Sequence, residues 1–385
     1  MEKWIALMGK RNMPTDGVED YCTFLAQALA CQGIQLEQVR VSWDEDGWDA
    51  ALGKLNRRAV DWHGRWIFFQ HTALAWSRRG FPLGALRTAK LLRRRGARVG
   101  VVFHEYCAQD EAASVVRPVR AACQNYVVRA LHAQSELSVF TIPTGKLRWL
   151  AKDCGKAISI PIGANIPPPA ISDSKPSPGG DGDEKTVAVF CFSPGHNQQL
   201  EIGDMVHAMR TAERSGQQLH LMILGRGSTE VRPQVEAALA GSGVRVSATG
   251  ILPADEITHQ LSQAAALLFV SGSVAQTRGT AIAAVACGIP VVGYSGAAEG
   301  SALAEAGLEL APYRDREALA AALARVLVDA NLRGELCRRS ASAYRKYFSW
   351  DAIAERFAMA CSVRPEREKS ASSARDRSAE TTGVA

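Results

Sequence analysis

Trp4-Ile5-Ala6-Leu7-Met8-Gly9-Lys10-Arg11-Asn12-Met13-Pro14-Thr15-Asp16-Gly17-Val18-Glu19-Asp20-Tyr21 reads as a short buried strand, a polar loop and the start of a helix. Beyond it Val18, Tyr21, Leu25, Ala28 and Leu29 recur with a period of about 3.6 residues, and Gly33 is placed to end the helix. A second apolar run, 36–41, follows. Strand, loop, helix, strand is the repeating unit of a parallel sheet. The alternation continues with strands expected over 65–70, 98–104, 137–142 and 157–161.

The pattern breaks at Ile166-Pro167-Pro168-Pro169 and stays almost without apolar content through 172–184, as an interdomain linker does. It then restarts, with strands expected over 186–192, 219–224, 244–249, 266–270, 290–294 and 308–311. Past Asp315 the period is helical to about Ala360, and residues 364–385 have little to bury and read as disordered. A chain of 385 residues exceeds what one core usually supports. The expected division is therefore a Rossmann-like domain over 1–166, a linker over 167–185, a second Rossmann-like domain over 186–347, a helix over 348–363 and a tail over 364–385.

With 47% apolar and 22% charged residues the composition is that of an ordinary globular protein. The apolar run 264–270 is far short of the roughly 20 residues that cross a bilayer. Residues 1–10 lack the pattern of a secretory leader and read as the first strand, and nine cysteines without a Cys-x-x-Cys pair fit reduced thiols. The expected location is cytoplasmic. A net charge of +6 favours phosphorylated ligands or anionic lipid and does not require nucleic acid.

Open parallel sheets bind ligands outside the carboxyl ends of their strands, so the loops there are where chemistry is expected. Gly17 stands at a helix start, where free backbone N–H groups suit a diphosphate, although Thr15 and Asp16 could simply cap the helix. Phe103-His104-Glu105 ends a strand, and His104 could orient a sugar hydroxyl or move a proton. His71 occupies the matching place after the preceding strand and reads as structural. In the second half Gly225-Arg226-Gly227 forms a turn after a strand. Arg278-Gly279-Thr280 begins a helix of small residues, Ala281 to Ala286, that ends at Gly288. An arginine at such a helix N-terminus suits phosphate. No nucleophile triad, metal-spaced His/Cys cluster or Walker loop is present. Arg87, Lys90, Arg93, Arg94, Arg95 and Arg98, with Leu86, Leu91 and Leu92, form a basic segment that suits either a solvated helix end or a peripheral contact with anionic lipid at the inner membrane face.

Four landmarks, Thr15-Asp16-Gly17-Val18-Glu19, Phe103-His104-Glu105, Leu224-Gly225-Arg226-Gly227 and Ala286-Cys287-Gly288-Ile289-Pro290-Val291-Val292, resemble in order and spacing the family 4 (group 1) glycosyltransferases. Ile160-Pro161-Ile162-Gly163-Ala164-Asn165-Ile166 is similar to that family's entry into the linker, and Phe348-Ser349-Trp350 to its C-terminal crossing helix. The resemblance implies an α/β GT-B fold, two Rossmann-like domains whose parallel sheets face a central cleft. It implies transfer, with retention of anomeric configuration, from a nucleotide-sugar to a carbohydrate or lipid-linked acceptor. No metal or other cofactor is expected. Catalytic roles fall to His104 and Arg278, and nucleotide-sugar contacts to Asp16, Gly17, Gly225, Arg226, Gly227, Gly279 and Thr280. Two departures stand out. The glutamate pair that precedes the family's Gly-x-Pro-Val-Val strand is replaced by Ala275 and Ala283, and the arginine and lysine expected after the first strand of the second domain are absent from Phe192-Ser193-Pro194-Gly195-His196-Asn197-Gln198-Gln199. Arg278-Gly279-Thr280 resembles the Arg-Gly-Ser/Thr stretch of a subset of the family. A non-catalytic nucleotide-sugar-binding subunit and an epimerase stay open as alternatives.

Overall fold

Twelve strands form where the apolar runs fall, in a computed structural model that describes residues 1–12, 16–105, 116–151, 154–169, 184–190, 196–296 and 300–362. The first domain contains β1 (Glu2–Met8), α1 (Gly17–Cys31), β2 (Ile34–Arg40), α2 (Trp43–Asp46), α3 (Trp48–Arg58) and β3 (Trp66–His71). It continues with α4 (Leu83–Arg94), β4 (Arg98–Phe103), α5 (Arg117–Gln134), β5 (Leu137–Phe140) and β6 (Ala157–Ser159). The second contains β7 (Glu184–Phe190), α6 (His196–Glu213), β8 (Gln218–Leu224), α7 (Ser228–Ala238), β9 (Val244–Ala248) and α8 (Ala254–Ser262). After these come β10 (Ala266–Ser273), α9 (Gly279–Ala286), β11 (Val291–Tyr294), β12 (Leu308–Ala311), α10 (Arg316–Val328), α11 (Ala330–Ala343) and α12 (Trp350–Ser362).

The two six-stranded sheets are parallel throughout, in the orders β2-β1-β3-β4-β5-β6 and β12-β11-β10-β7-β8-β9. Each order reverses direction once, between β1 and β3 in the first sheet and between β7 and β10 in the second. At such a reversal the flanking loops diverge to opposite faces and leave a crevice at the carboxyl edge. The loops after β1 and β10 therefore border the two crevices, and they carry Gly17 and Arg278.

Each sheet is buried on both faces, which explains its near-continuous apolar strands. In β1, Ile5 and Leu7 point to the core under α3, α4 and α5, while Trp4, Ala6 and Met8 point to the opposite core under α1. That second core is completed by Ile353, Ala354, Phe357 and Cys361 of α12, a helix reached only after the chain has traversed the other domain. Phe357 meets Phe68 edge-on at 5.3 Å. Trp350 stacks on Phe24 at 5.5 Å and donates from Nε1 to the Ala164 carbonyl at 2.7 Å. Its indole lies so close over Gly163 that a Cβ there would come within 2.5 Å of the ring, so the approach needs a glycine. The second sheet packs likewise between α6, α7 and α10 on one face and α8 and α9 on the other. Within the linker and tail segments of the sequence, residues 170–183 and 363–385 lie outside the described residues.

Phe357→Ala removes a fully buried ring from the first domain's core and should cost about 3–5 kcal/mol of stability. Urea unfolding checks this, and a loss near zero would show that α12 does not complete that core.

Candidate active site

On the first domain's wall, Asp16 caps α1. Its Oδ1 accepts from the amides of Val18 at 3.0 Å and Glu19 at 3.4 Å. Arg40, at the end of β2, lies 3.5 Å from Asp16 Oδ2 and 3.4 Å from Glu19, and donates to the Gly9 carbonyl at 2.9 Å. Asp16 is 8% exposed, so its carboxylate is committed to the helix and to Arg40. Gly17 is different: among the described residues a Cβ there would meet nothing within 4 Å, and its backbone is helical, so no described neighbour requires glycine.

His104 follows β4 at the same edge, half-buried. Its Nε2 is 2.8 Å from Gln70 Oε1, and its ring meets Tyr21 edge-on at 4.8 Å. Burial pushes its pKa down to about 4, with the Asp16 carboxylate pulling weakly the other way. At neutral pH the ring is uncharged. His71, at the end of β3, is 1% exposed, and among the described residues neither ring nitrogen has a hydrogen-bond partner. Burial and then the neighbouring His104 hold it at a pKa of about 4, despite weak opposing help from the Glu105 backbone. It is a neutral core residue packed on Phe103.

On the second domain's wall, Gly225 and Gly227 both have φ near +80°, at 85° and 78°, a conformation that side chains resist. This turn is tied down by the Gly225 amide donating to the Gly250 carbonyl at 3.0 Å and by Ser228 Oγ accepting from the Gly250 amide at 2.8 Å. Arg226 projects from it, exposed. Arg278 is the residue before α9, exposed, with no ion-pair partner among the described residues. Its guanidinium hangs over the end of β10, 3.9 Å from where a Cβ on Gly272 would stand. Beside it the amides of Gly279 and Thr280 open the helix, and neither takes part in any backbone bond formed outside the helices and strands. A guanidinium and the first amides of a helix thus stand together, a combination that suits an anion.

The two walls are tied by a residue that the motifs did not reveal. Gln276, 2% exposed in the loop between β10 and α9, donates from Nε2 to the Thr141 carbonyl at 2.5 Å. Thr141 in turn donates from Oγ1 to the carbonyls of Phe103 and His104, both at 3.2 Å. The loop carrying Arg278 is thereby connected, through two hydrogen bonds, to the strand end carrying His104.

With this geometry in view, residues 187–329 match the model of the family described as glycosyl transferases group 1. That stretch of the second domain is similar to the group 1 glycosyltransferases. The whole chain shares the GT-B fold with several solved structures. Sucrose-phosphate synthase from Thermosynechococcus elongatus is 18% identical with a TM-score of 0.65, over 93% of this chain and 98% of that one. HepE from Anabaena in complex with UDP is 15% identical with a TM-score of 0.65, over 94% and 100%. A putative UDP-N-acetylglucosamine 2-epimerase from Listeria monocytogenes is 13% identical with a TM-score of 0.60, over 93% and 95%. No curated protein matches the chain in sequence.

Within the matched stretch, Ala283 is buried in α9 and Ala275 half-buried in the loop before it. The first part of the stretch lacking the arginine and lysine, residues 192–195, lies outside the described residues, as does Thr15. The basic segment maps to α4, the turn after it and the first residue of β4, and part of its charge is taken up locally. Arg87 pairs with Asp49 at 2.6 Å, Arg95 donates to Asn56 at 2.7 Å, and Arg98 pairs with Glu136 at 3.0 Å beneath its stacking on Trp66. No helix among the described residues is long and apolar enough to cross a membrane.

Gln276→Ala leaves the buried Thr141 carbonyl without its donor and should cost about 1–3 kcal/mol. It should also enlarge the radius of gyration measured by small-angle scattering; unchanged scattering and stability together would remove Gln276 as a tie between the domains.

Proposed function

We propose that the protein is a glycosyltransferase that binds a nucleotide-sugar in the cleft between its two sheets and transfers the sugar to a hydroxyl of a carbohydrate or lipid-linked acceptor. The observation that carries this reading is the unpaired Arg278 at the N-terminus of α9, beside the crevice of the second sheet and tied through Gln276 to the His104 wall. In the reaction the bond between the anomeric carbon and the diphosphate oxygen breaks, its electron pair stays on the departing diphosphate, and the acceptor oxygen bonds to that carbon as its proton passes to the departing diphosphate. Arg278 and the amides of Gly279 and Thr280 meet the charge that develops on the leaving group, while those at Gly17 approach the diphosphate from the other wall. Gly225, Arg226 and Gly227 complete the nucleotide side. The family resemblance implies retention at the anomeric carbon and no metal, and the proposal includes both. Three of the similar structures are complexes with UDP, which makes UDP the first nucleotide to try.

Ala275 and Ala283 favour a second reading, a subunit that binds nucleotide-sugar without turning it over. Thermal shift and calorimetry against UDP, GDP, ADP and their sugar conjugates, followed by an acceptor screen with NMR of the product anomer, separate the two. Binding with transfer supports the enzyme, binding without transfer the subunit, and no binding by any nucleotide rejects both. In a transferase, Arg278→Ala should lower turnover about 10²- to 10³-fold, as loss of one charge-stabilising donor does. Unchanged turnover would reject its role.

Gly17→Ala distinguishes ligand approach from folding, because the two effects have opposite signs. The variant should keep its stability or gain up to about 1 kcal/mol, since alanine favours helix. Its affinity for the nucleoside diphosphate should nevertheless fall. Unaltered affinity by calorimetry would place the diphosphate elsewhere.

A further inference from the structure

We infer that Gln70 is a positioning residue whose buried amide holds His104 as the Nε2–H tautomer, so that Nδ1 is left as a hydrogen-bond acceptor for a hydroxyl of the bound sugar. The hydroxyl rests on the nucleotide-sugar reading; the tautomer does not.

Gln70 lies in β3 at 1% exposure, where an apolar residue would normally fill the core. A buried amide is costly unless bonded, and both ends of this one are. Nε2 donates to the Phe68 carbonyl at 3.2 Å and Oε1 is 2.8 Å from His104 Nε2. The first bond sets the direction of the second. Rotating the amide by half a turn would put Oε1 against the Phe68 carbonyl, two acceptors with no proton between them. With Oε1 facing the imidazole, only an N–H on His104 Nε2 can complete the contact.

A neutral imidazole carries one N–H, so Nδ1 keeps its lone pair. Among the described residues Nδ1 has no partner. The ring cannot readily turn to offer the other nitrogen. Tyr21 holds its face edge-on, the His104 amide donates to the His71 carbonyl at 3.1 Å, and Thr141 Oγ1 donates to the His104 carbonyl. The titratable groups around it are Asp16 and Tyr21 from α1, His71 from β3 and the adjacent Glu105, and burial outweighs the opposing Asp16 charge in keeping the ring neutral. A neutral Nδ1 attracts an O–H and repels a phosphate oxygen. His104 therefore contacts the hydroxyl-bearing part of a ligand and leaves the diphosphate to the two helix N-termini.

Long-range 1H–15N spectra of the full chain labelled at histidine test this, with His104 assigned by its disappearance in His104→Ala. The expected wild-type spectrum shows a protonated Nε2 and a bare Nδ1. Gln70→Leu should give a mixture of tautomers. In the Leu variant affinity for UDP-sugars should fall about 2- to 10-fold, the worth of one neutral hydrogen bond, with UDP affinity unchanged. A wild-type ring protonated on Nδ1, or a Gln70→Leu ring still wholly Nε2–H, overturns the assignment. The spectra need no ligand, so failure of the nucleotide-sugar reading shows only in the binding arm, where neither UDP nor a UDP-sugar would bind the wild type. Equal loss of UDP and UDP-sugar affinity in the Leu variant would instead overturn the hydroxyl contact.

Discussion

The docking of α12 on the first domain is the constraint from which the site follows. The face of the sheet bearing Trp4, Ala6 and Phe68 is only partly covered by α1, and α12 brings Ile353, Ala354 and Phe357 to the remainder. Burying a large apolar side chain contributes roughly 1.5–3 kcal/mol, so such a face is not left open cheaply. The first domain is consequently incomplete until the chain has passed through the second and returned. Trp350, at the start of α12, also meets Tyr21 edge-on at 5.2 Å, and Tyr21 in turn meets His104. Domain assembly and the packing around the candidate histidine are thus one structure.

The charges on the two walls are arranged differently. On the first, Arg40 is paired with Asp16 and Glu19, and Arg11 with Glu19 at 2.8 Å, so the cations there are largely balanced. On the second, Arg278 has no such partner among the described residues. An exposed guanidinium keeps its hydration and costs little to leave unpaired, yet beside open helix amides it leaves a positive potential uncancelled. The stronger anion preference therefore belongs to the second wall, and the first wall adds a bare helix start and a neutral ring. This division matches a ligand with a charged diphosphate at one end and hydroxyls at the other.

All twelve strands were legible because sheets buried on both faces need runs of apolar, often β-branched residues, which stand out from polar loops. The ends were less so. β10 extends through Ser271-Gly272-Ser273, where nothing apolar marks it, and its pairing with β11 is irregular at that point. His104 could be singled out because it directly follows an apolar run at a carboxyl edge. Gln70, Thr141 and Gln276 could not. Each looks like an ordinary polar residue, and the bonds that give it meaning join positions 34 and 135 residues apart. Asp16 shows the converse limit: a residue type suited to a ligand turned out to be held by its own helix and by Arg40.

Ala275 and Ala283 raise the question of what replaces two carboxylates. Ala283 is 5% exposed within a helix whose residues from Ala281 to Ala286 are all buried, and its small side chains let α9 lie close against the sheet. A glutamate at that position would bury a charge in an apolar cluster, at a cost that only a paired cation could offset. The alanine is thus part of how α9 packs, and the helix start it supports is where Arg278 stands. Exchanging two carboxylates, which accept hydrogen bonds, for one guanidinium, which only donates them, makes this wall better suited to phosphate than to hydroxyls. In the proposed reading, acceptance from a sugar hydroxyl falls instead to the opposite wall, where His104 offers a single neutral nitrogen.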